Sequence, residues 1–244
     1  MRNFFLVILA CIGFALAAPD SLVVEAAGVR SATGIWWPVS AKKPSKAKVS
    51  AKAVKANVVV WFHGGMTSSN CEKGYVAGRD LSELFNGLIV VSVSACRENH
   101  WVTENMVQVV DAALDSVATR RKADVNDVSL VGVSDGGLGT IVYSLYGKRN
   151  VKNRLLVSSF GEFLGASSEV AAAPRLHTGR WRFLQGGADR LYPITKTRPW
   201  IESFCANVGT DCEIRYDCVG EHDWQYWRSN RLQWIADAIL VTTP

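Results

Sequence analysis

Two apolar runs near the start of the chain, 22–27 and 34–39, have strand length and predict an opening antiparallel pair. After a lysine-rich stretch the pattern becomes regular. Residues 57–62 form a continuous β-branched and aromatic run, 75–85 carry helical spacing, and 88–93 form a second continuous run. A long helix is expected over 103–121, a strand over 128–133, a short helix over 136–146 and a strand over 154–157. Strands at 181–184 and 213–216 bracket a helix near 195–206, and an amphipathic helix closes the pattern over 224–240. A strand that is apolar at consecutive positions has to be buried on both faces. Such strands alternating with helices predict an α/β fold, a mostly parallel central sheet with helices on both faces. In sheets of this kind the reacting groups gather beyond the carboxyl ends of the strands. Motifs that carry chemistry have to fall there.

The opening residues follow a different rule. Arg2 and the amino terminus are positive, 4–16 is apolar, and Ala15-Leu16-Ala17 puts small residues at cleavage positions. This is the pattern of a secretory signal over 1–17, cut after Ala17 because a cut after Ala18 would set Pro19 beside the scissile bond. Ile8-Leu9-Ala10-Cys11 has some likeness to a lipid-attachment site, but the apolar run continues past Cys11. That run is shorter than the ~20 residues of a span, and no later segment approaches that length, so no stable membrane anchor is expected. What remains, 18–244, is long enough for one domain with a full core, secreted or periplasmic. At 48% hydrophobic and 20% charged it is not a disordered chain. The net charge of +5 is mild, and falls by one with Arg2. No arginine-rich helix or zinc-finger spacing accompanies it, so nucleic acid is not an expected partner. Six lysines and Pro44 fall in 41–56, which reads as a solvated loop rather than a polyanion site. Of six cysteines Cys11 leaves with the signal. Five remain, so one thiol at least is left over in an oxidising compartment.

The sharpest chemical signal is Gly132-Val133-Ser134-Asp135-Gly136-Gly137, between an apolar strand and a helix. Glycines on either side allow a turn tight enough to present a serine hydroxyl, and the helix start aims N–H groups at developing negative charge. The plain alternative is an ordinary strand-to-helix turn that happens to contain serine. A second loop, His63-Gly64-Gly65-Met66-Thr67, follows the strand at 57–62. There an N–H of Gly65 (or Met66) is positioned to join that of Asp135 in holding an oxyanion. His63 precedes the serine and reads as a loop-supporting residue. Downstream lie only His177 and His222. His177 has no strand before it, whereas His222, in Gly220-Glu221-His222-Asp223-Trp224, follows the last strand. Asp189, in Gly186-Gly187-Ala188-Asp189-Arg190, follows the preceding strand. The acid-then-histidine order suits Ser134, Asp189 and His222 as nucleophile, acid and base, with Asp217 as the next acid.

From His63-Gly64-Gly65 through Trp224 and the helix after it, the chain resembles the α/β-hydrolase superfamily of serine esterases. Gly220-Glu221-His222-Asp223-Trp224, with Tyr226-Trp227-Arg228 and Leu232, is similar to the esterase group that contains feruloyl and acetylxylan esterases, and to polyhydroxybutyrate depolymerase-like esterases. The resemblance implies the α/β-hydrolase fold and acyl transfer without a cofactor. The histidines lack metal-ligand spacing, and no metal is expected. Two features depart from the pattern: Asp135 stands where a neutral residue is common, and 160–180 is short for a lipase lid. The expected partner is a small-molecule or polysaccharide ester. A secreted serine peptidase and a non-catalytic binding protein on the same scaffold are the rival readings. Trp101 and Trp224 either line a pocket for a sugar or phenolic ring or simply pack. In the hydrolase sheet the strands at 57–62 and 88–93 are neighbours, which brings Cys71 and Cys96 to one sheet edge as a disulfide. Cys205 closes a short loop to Cys212. Cys218 is too far along an extended strand to pair with Cys212, since six residues span roughly 20 Å against a ~7 Å limit between bridged α-carbons. The alternative is that all five thiols are buried and reduced.

Overall fold

Period-two burial explains the sheet. In β3 (Asn57–Phe62) Val58, Val60 and Phe62 enter the core on one face while Val59 and Trp61 enter it on the other. The computed structural model describes residues 19–38, 56–65 and 67–240. The expected signal over 1–17, the lysine-rich connection through residue 55 and Met66 lie outside them. The eight strands are β1 (Asp20–Ala26), β2 (Val29–Trp36), β3, β4 (Leu88–Val93), β5 (Asp127–Val133), β6 (Asn150–Val157), β7 (Arg180–Gly186) and β8 (Cys212–Asp217). They form one sheet in the order β1-β2-β4-β3-β5-β6-β7-β8. β1 and β2 run antiparallel to their neighbours, and every other pair is parallel.

Helices cover both faces. α3 (Glu104–Arg121), α4 (Gly136–Tyr146) and α6 (Ile194–Asn207) share clusters with one set of strand side chains. α2 (Arg79–Leu84), α7 (Trp224–Asn230) and α8 (Leu232–Ile239) pack on the other. α1 (Gly74–Ala77) and α5 (Ser167–Ala171) are single turns or little more. Among the described residues no helix is long and apolar enough to cross a membrane.

Several boundaries differ from expectation; β6, for one, starts at Asn150 rather than 154, its first positions alternating exposed polar with buried residues. β2 starts at Val29 rather than 34, because the buried positions that follow Val29 are polar: Ser31 Oγ donates to the Ser94 carbonyl and Thr33 is fully buried. Ala27 (φ 50°) and Gly28 (φ 76°) then close a two-residue hairpin, whose positive φ angles match the twist of the strands. The helix expected over 75–85 breaks at Gly78, where a Cβ would meet the Trp36 ring at 2.6 Å. The closing helix breaks at Arg231 (φ −134°), whose guanidinium is drawn to Asp217 at the end of β8. Both expected disulfides form. Cys71–Cys96 has its α-carbons 5.1 Å apart and Cys205–Cys212 5.4 Å, and Cys218 is free and exposed.

Candidate active site

The turn between β5 and α4 sets Ser134 at φ 55°, a conformation uncommon for any residue but glycine. Two glycines make the turn possible. A Cβ on Gly132 would stand 2.3 Å from the Gly136 carbonyl oxygen, and one on Gly136 only 1.9 Å from that of Phe62. Backbone thus packs on backbone beneath the serine, and its N–H donates to the Val157 carbonyl of β6 at 3.0 Å. The hydroxyl is held beyond the carboxyl end of β5, between the ends of β3 and β6.

Asp189 and His222 arrive from the next two strand ends, and their loops are locked together. A Cβ on Gly186 would lie 2.0 Å from the Gly220 carbonyl oxygen, which accepts from the Ala188 N–H at 3.0 Å. His222 Nδ1 is 2.8 Å from Asp189 Oδ2, and Nε2 is 2.8 Å from Ser134 Oγ. A carboxylate only accepts, so Nδ1 carries the proton and Nε2 accepts from the serine hydroxyl. Burial alone would raise the Asp189 carboxyl. The bond from His222 and the N–H groups of Tyr192 and Leu191 outweigh it and hold the group below its ordinary value. Asp217 is not part of this line; it pairs with Arg231 and accepts from the Val219 N–H.

The loop after β3 lies against the serine: a Cβ on Gly64 would be 3.1 Å from that of Ser134. Lys73 Nζ donates to the carbonyls of Gly64 (3.2 Å) and Gly65 (3.3 Å). In a trans peptide the N–H opposes the preceding carbonyl, so the Gly65 N–H points away from Lys73. Gly65 itself sits at φ 65°. His63 supports this loop from below. Its Nε2 accepts from the Ala95 N–H at 3.0 Å, which leaves the proton on Nδ1, 2.9 Å from the Gly64 carbonyl. Burial pulls its pKa down to about 4.

Asp135, which caps α4 immediately after the serine, points its carboxylate at a partner that the sequence did not reveal. The Tyr192 hydroxyl donates to Asp135 Oδ1 at 2.7 Å, while the Tyr192 ring meets His222 edge to face at 5.0 Å. Burial first, then the bond to Asp135, push the Tyr192 hydroxyl well above its ordinary pKa, with the Ser134 hydroxyl opposing. Tyr192 stays a donor at neutral pH. Its signal was its place three residues past the acid; nothing in the residue type marked it. Lys73 was equally invisible, since only the folded loop shows what its ammonium touches.

Trp101 does not line the site, contrary to one of the two expectations for it. It is 2% exposed, packs edge-on to Phe62 and donates its indole N–H to the His63 carbonyl. Being large and apolar, it is spent on the core beneath the loop. Trp224 is half-buried against Trp61, with ring centroids 4.8 Å apart. His177 is elsewhere, with Nε2 2.8 Å from the Ala171 carbonyl.

No protein-family model matches the chain, and no curated protein does. Solved structures do. The chain is similar to a ferulic acid esterase at TM-score 0.66 and 16% identity, over 90% of this chain and 96% of that one. It is similar to a cold-adapted esterase from an Arctic intertidal metagenomic library at TM-score 0.60 and 17% identity, over 90% and 93%. An acylaminoacyl peptidase of Pyrococcus horikoshii matches at TM-score 0.63 and 12% identity, over 93% of this chain but 42% of the peptidase. A protein of unknown function from Agrobacterium tumefaciens, described as of α/β-hydrolase type, matches at TM-score 0.59 and 15% identity over 89% and 92%, and the chain has the α/β-hydrolase fold.

Proposed function

We propose that the chain is a secreted serine carboxylesterase that hydrolyses small or exposed acyl esters through an acyl-enzyme on Ser134. The observation that carries this reading is the hydrogen-bonded line Asp189–His222–Ser134, two contacts of 2.8 Å assembled beyond three strand ends. As Ser134 Oγ attacks the ester carbonyl, His222 Nε2 takes its proton, and Asp189 holds the tautomer and steadies the imidazolium. N–H groups of Gly65 and Asp135 receive the oxyanion. His222 gives its proton to the departing alcohol, and water then repeats the sequence to release the acid and restore the serine.

The likeness to esterases, one of them a ferulic acid esterase, supports an ester as the bond cleaved. Feruloyl and acetyl esters of plant polysaccharide are the first substrates to try. Two disulfides fit an oxidising compartment, in line with the export signal expected over 1–17. Between β6 and β7 lie only α5 and two short helical turns, Glu162–Leu164 and Pro174–His177, which offer little chain for a mobile lid. That favours short acyl groups.

The test is a fluorophosphonate label on Ser134, beside a series of p-nitrophenyl esters, methyl ferulate and acetylated xylan. Ser134→Ala and His222→Ala are each expected to lower kcat by several orders of magnitude with the fold intact, and Asp189→Asn somewhat less. Activity should fall as the acyl chain lengthens. An unlabelled Ser134 points to a binding protein, and robust hydrolysis of emulsified long-chain triglyceride overturns the small-ester reading. The peptidase match favours a second reading, amide cleavage by the same residues. Turnover of p-nitroanilides as fast as the matching esters would select it.

A further inference from the structure

At the amino ends of β6 and β7, away from Ser134, an open cavity of about 720 Å³ is lined by five cations and no carboxylate. The cations are Lys148, Arg149, Lys152, Arg154 and Arg175. Two have partners outside the lining: Arg149 pairs with Asp115, and Lys152 lies 3.5 Å from Asp127. The Arg149 Nε is buried without an acceptor all the same. The other three have no counter-charge among the described residues. Arg175 donates only to the carbonyls of Gly147 and Arg149, and the Lys148 ammonium is exposed.

Arg154 is the unusual one. It is 1% exposed, yet all its partners are neutral: Ser144 Oγ at 2.8 Å, the Thr178 carbonyl at 2.6 Å and, more weakly, the Arg175 carbonyl at 3.5 Å. Its guanidinium lies 4.5 Å over the Trp181 ring. Burying an arginine without an anion is costly, and a second guanidinium beside it adds repulsion. Both effects appear in its pKa, pulled down to about 9 by burial and then by Arg175. Three of its five N–H groups are engaged, which leaves donors for a ligand. A ligand bearing two negative charges would supply what the protein does not. Guanidinium forks match tetrahedral oxyanions in geometry as well as charge.

We propose that this cavity, with buried Arg154 at its wall and Arg175, Arg149, Lys148 and Lys152 around it, binds a dianionic tetrahedral oxyanion, free phosphate or sulfate or a phosphate monoester. Arg154 pairs in register with Leu130, four residues before Ser134 and so about 13 Å below it, and the rest of the lining lies nearer the amino ends of the strands, so the occupant does not compete with an ester at Ser134. The site stands whether or not the esterase reading does.

The experiment is a titration of the purified protein with sodium phosphate, sodium sulfate and glucose 6-phosphate, read by thermal melting and calorimetry. Sodium chloride and acetate at matched ionic strength are the controls. Saturable stabilisation by phosphate or sulfate, absent with chloride and acetate, is expected. Tighter binding of glucose 6-phosphate than of inorganic phosphate identifies a monoester as the occupant; the reverse identifies the free anion. Lys148→Glu/Lys152→Glu should raise Kd at least about tenfold while leaving p-nitrophenyl acetate hydrolysis unchanged. Lys148→Ala, a change at an exposed side chain, gives a smaller loss in the same direction should the double variant fold poorly. Stabilisation no greater than in chloride, or wild-type affinity in the folded variants, would overturn the proposal.

Discussion

In the proposed reaction a carboxylate beside an oxyanion-binding N–H ought to harm catalysis, and Asp135 carries one on the residue whose N–H is proposed for that role. The Tyr192 hydroxyl answers it at 2.7 Å. The backbone N–H of Tyr192 donates to Asp189 and its ring sits on His222, so one residue contacts both members of the proposed acid–base pair. Removing the hydroxyl leaves the Asp135 charge less well screened beside the site of negative-charge development. A hydrogen bond to a charged group is worth about 1.5–3 kcal/mol, so Tyr192→Phe should lower kcat roughly tenfold or more with little change in KM. Tyr192→Phe with Asp135→Asn should recover most of the loss, because the amide carries no charge. A double variant as slow as Tyr192→Phe alone would place the effect in packing against His222 instead. Trp101 shows the complementary lesson: its place past a strand end was legible, but its 2% exposure and its bond to the His63 carbonyl were not.

At the scale of elements, the loops of the candidate site were legible because each needs a local signature. Ser134 is announced by glycines at 132 and 136 that backbone contacts of 2.3 and 1.9 Å demand, and Asp189 and His222 by strand ends. β3, β4 and β5 were legible because burial on both faces makes them nearly continuously apolar, whereas β8, at the sheet edge, is only partly buried and mixed in character. β2 was read late since Ser31 and Thr33 are buried through hydrogen bonds and tight packing that composition hides. Lys73 escaped notice for a related reason: an ordinary lysine becomes a clamp only when its segment is tied down. The tie is Cys71–Cys96, two residues away. Lys73→Met should therefore lower kcat by up to about thirtyfold, the two lost hydrogen bonds being worth about 1 kcal/mol each, with KM little changed. Lys73→Arg should restore part of it. Cys71→Ser/Cys96→Ser should show the same kcat loss plus a stability loss of about 2–4 kcal/mol. A Lys73→Met enzyme with wild-type kcat would remove the clamp from the account of the site.

At the scale of the whole molecule, one pH-dependent contribution to stability comes from a histidine that does no chemistry in the proposed reaction. His63 is 4% exposed, with Nε2 occupied by the Ala95 N–H. Burial chiefly, and the Lys73 charge as well, pull its pKa from 6.5 to about 4 against the opposing effects of the Gly64 carbonyl and Asp135. Between those values the unfolded chain binds a proton there and the folded chain does not. Stability is therefore lost as pH falls through 6.5, and the loss levels off near 4. At 1.36 kcal/mol per unit the loss is on the order of 3 kcal/mol. Asp189 acts in a separate window. Its folded pKa is depressed, so its contribution is present above the ordinary carboxylate value of 3.8 and vanishes only as pH falls through the lower folded value. Urea unfolding at pH 7.5 and 4.5 isolates the histidine. His63→Gln keeps an acceptor for Ala95 but cannot titrate, so the variant should start less stable than wild type at pH 7.5 and lose about 3 kcal/mol less on acidification. Parallel losses in the two proteins would mean that His63 is charged in the fold, and that the Ala95 N–H does not hold it neutral.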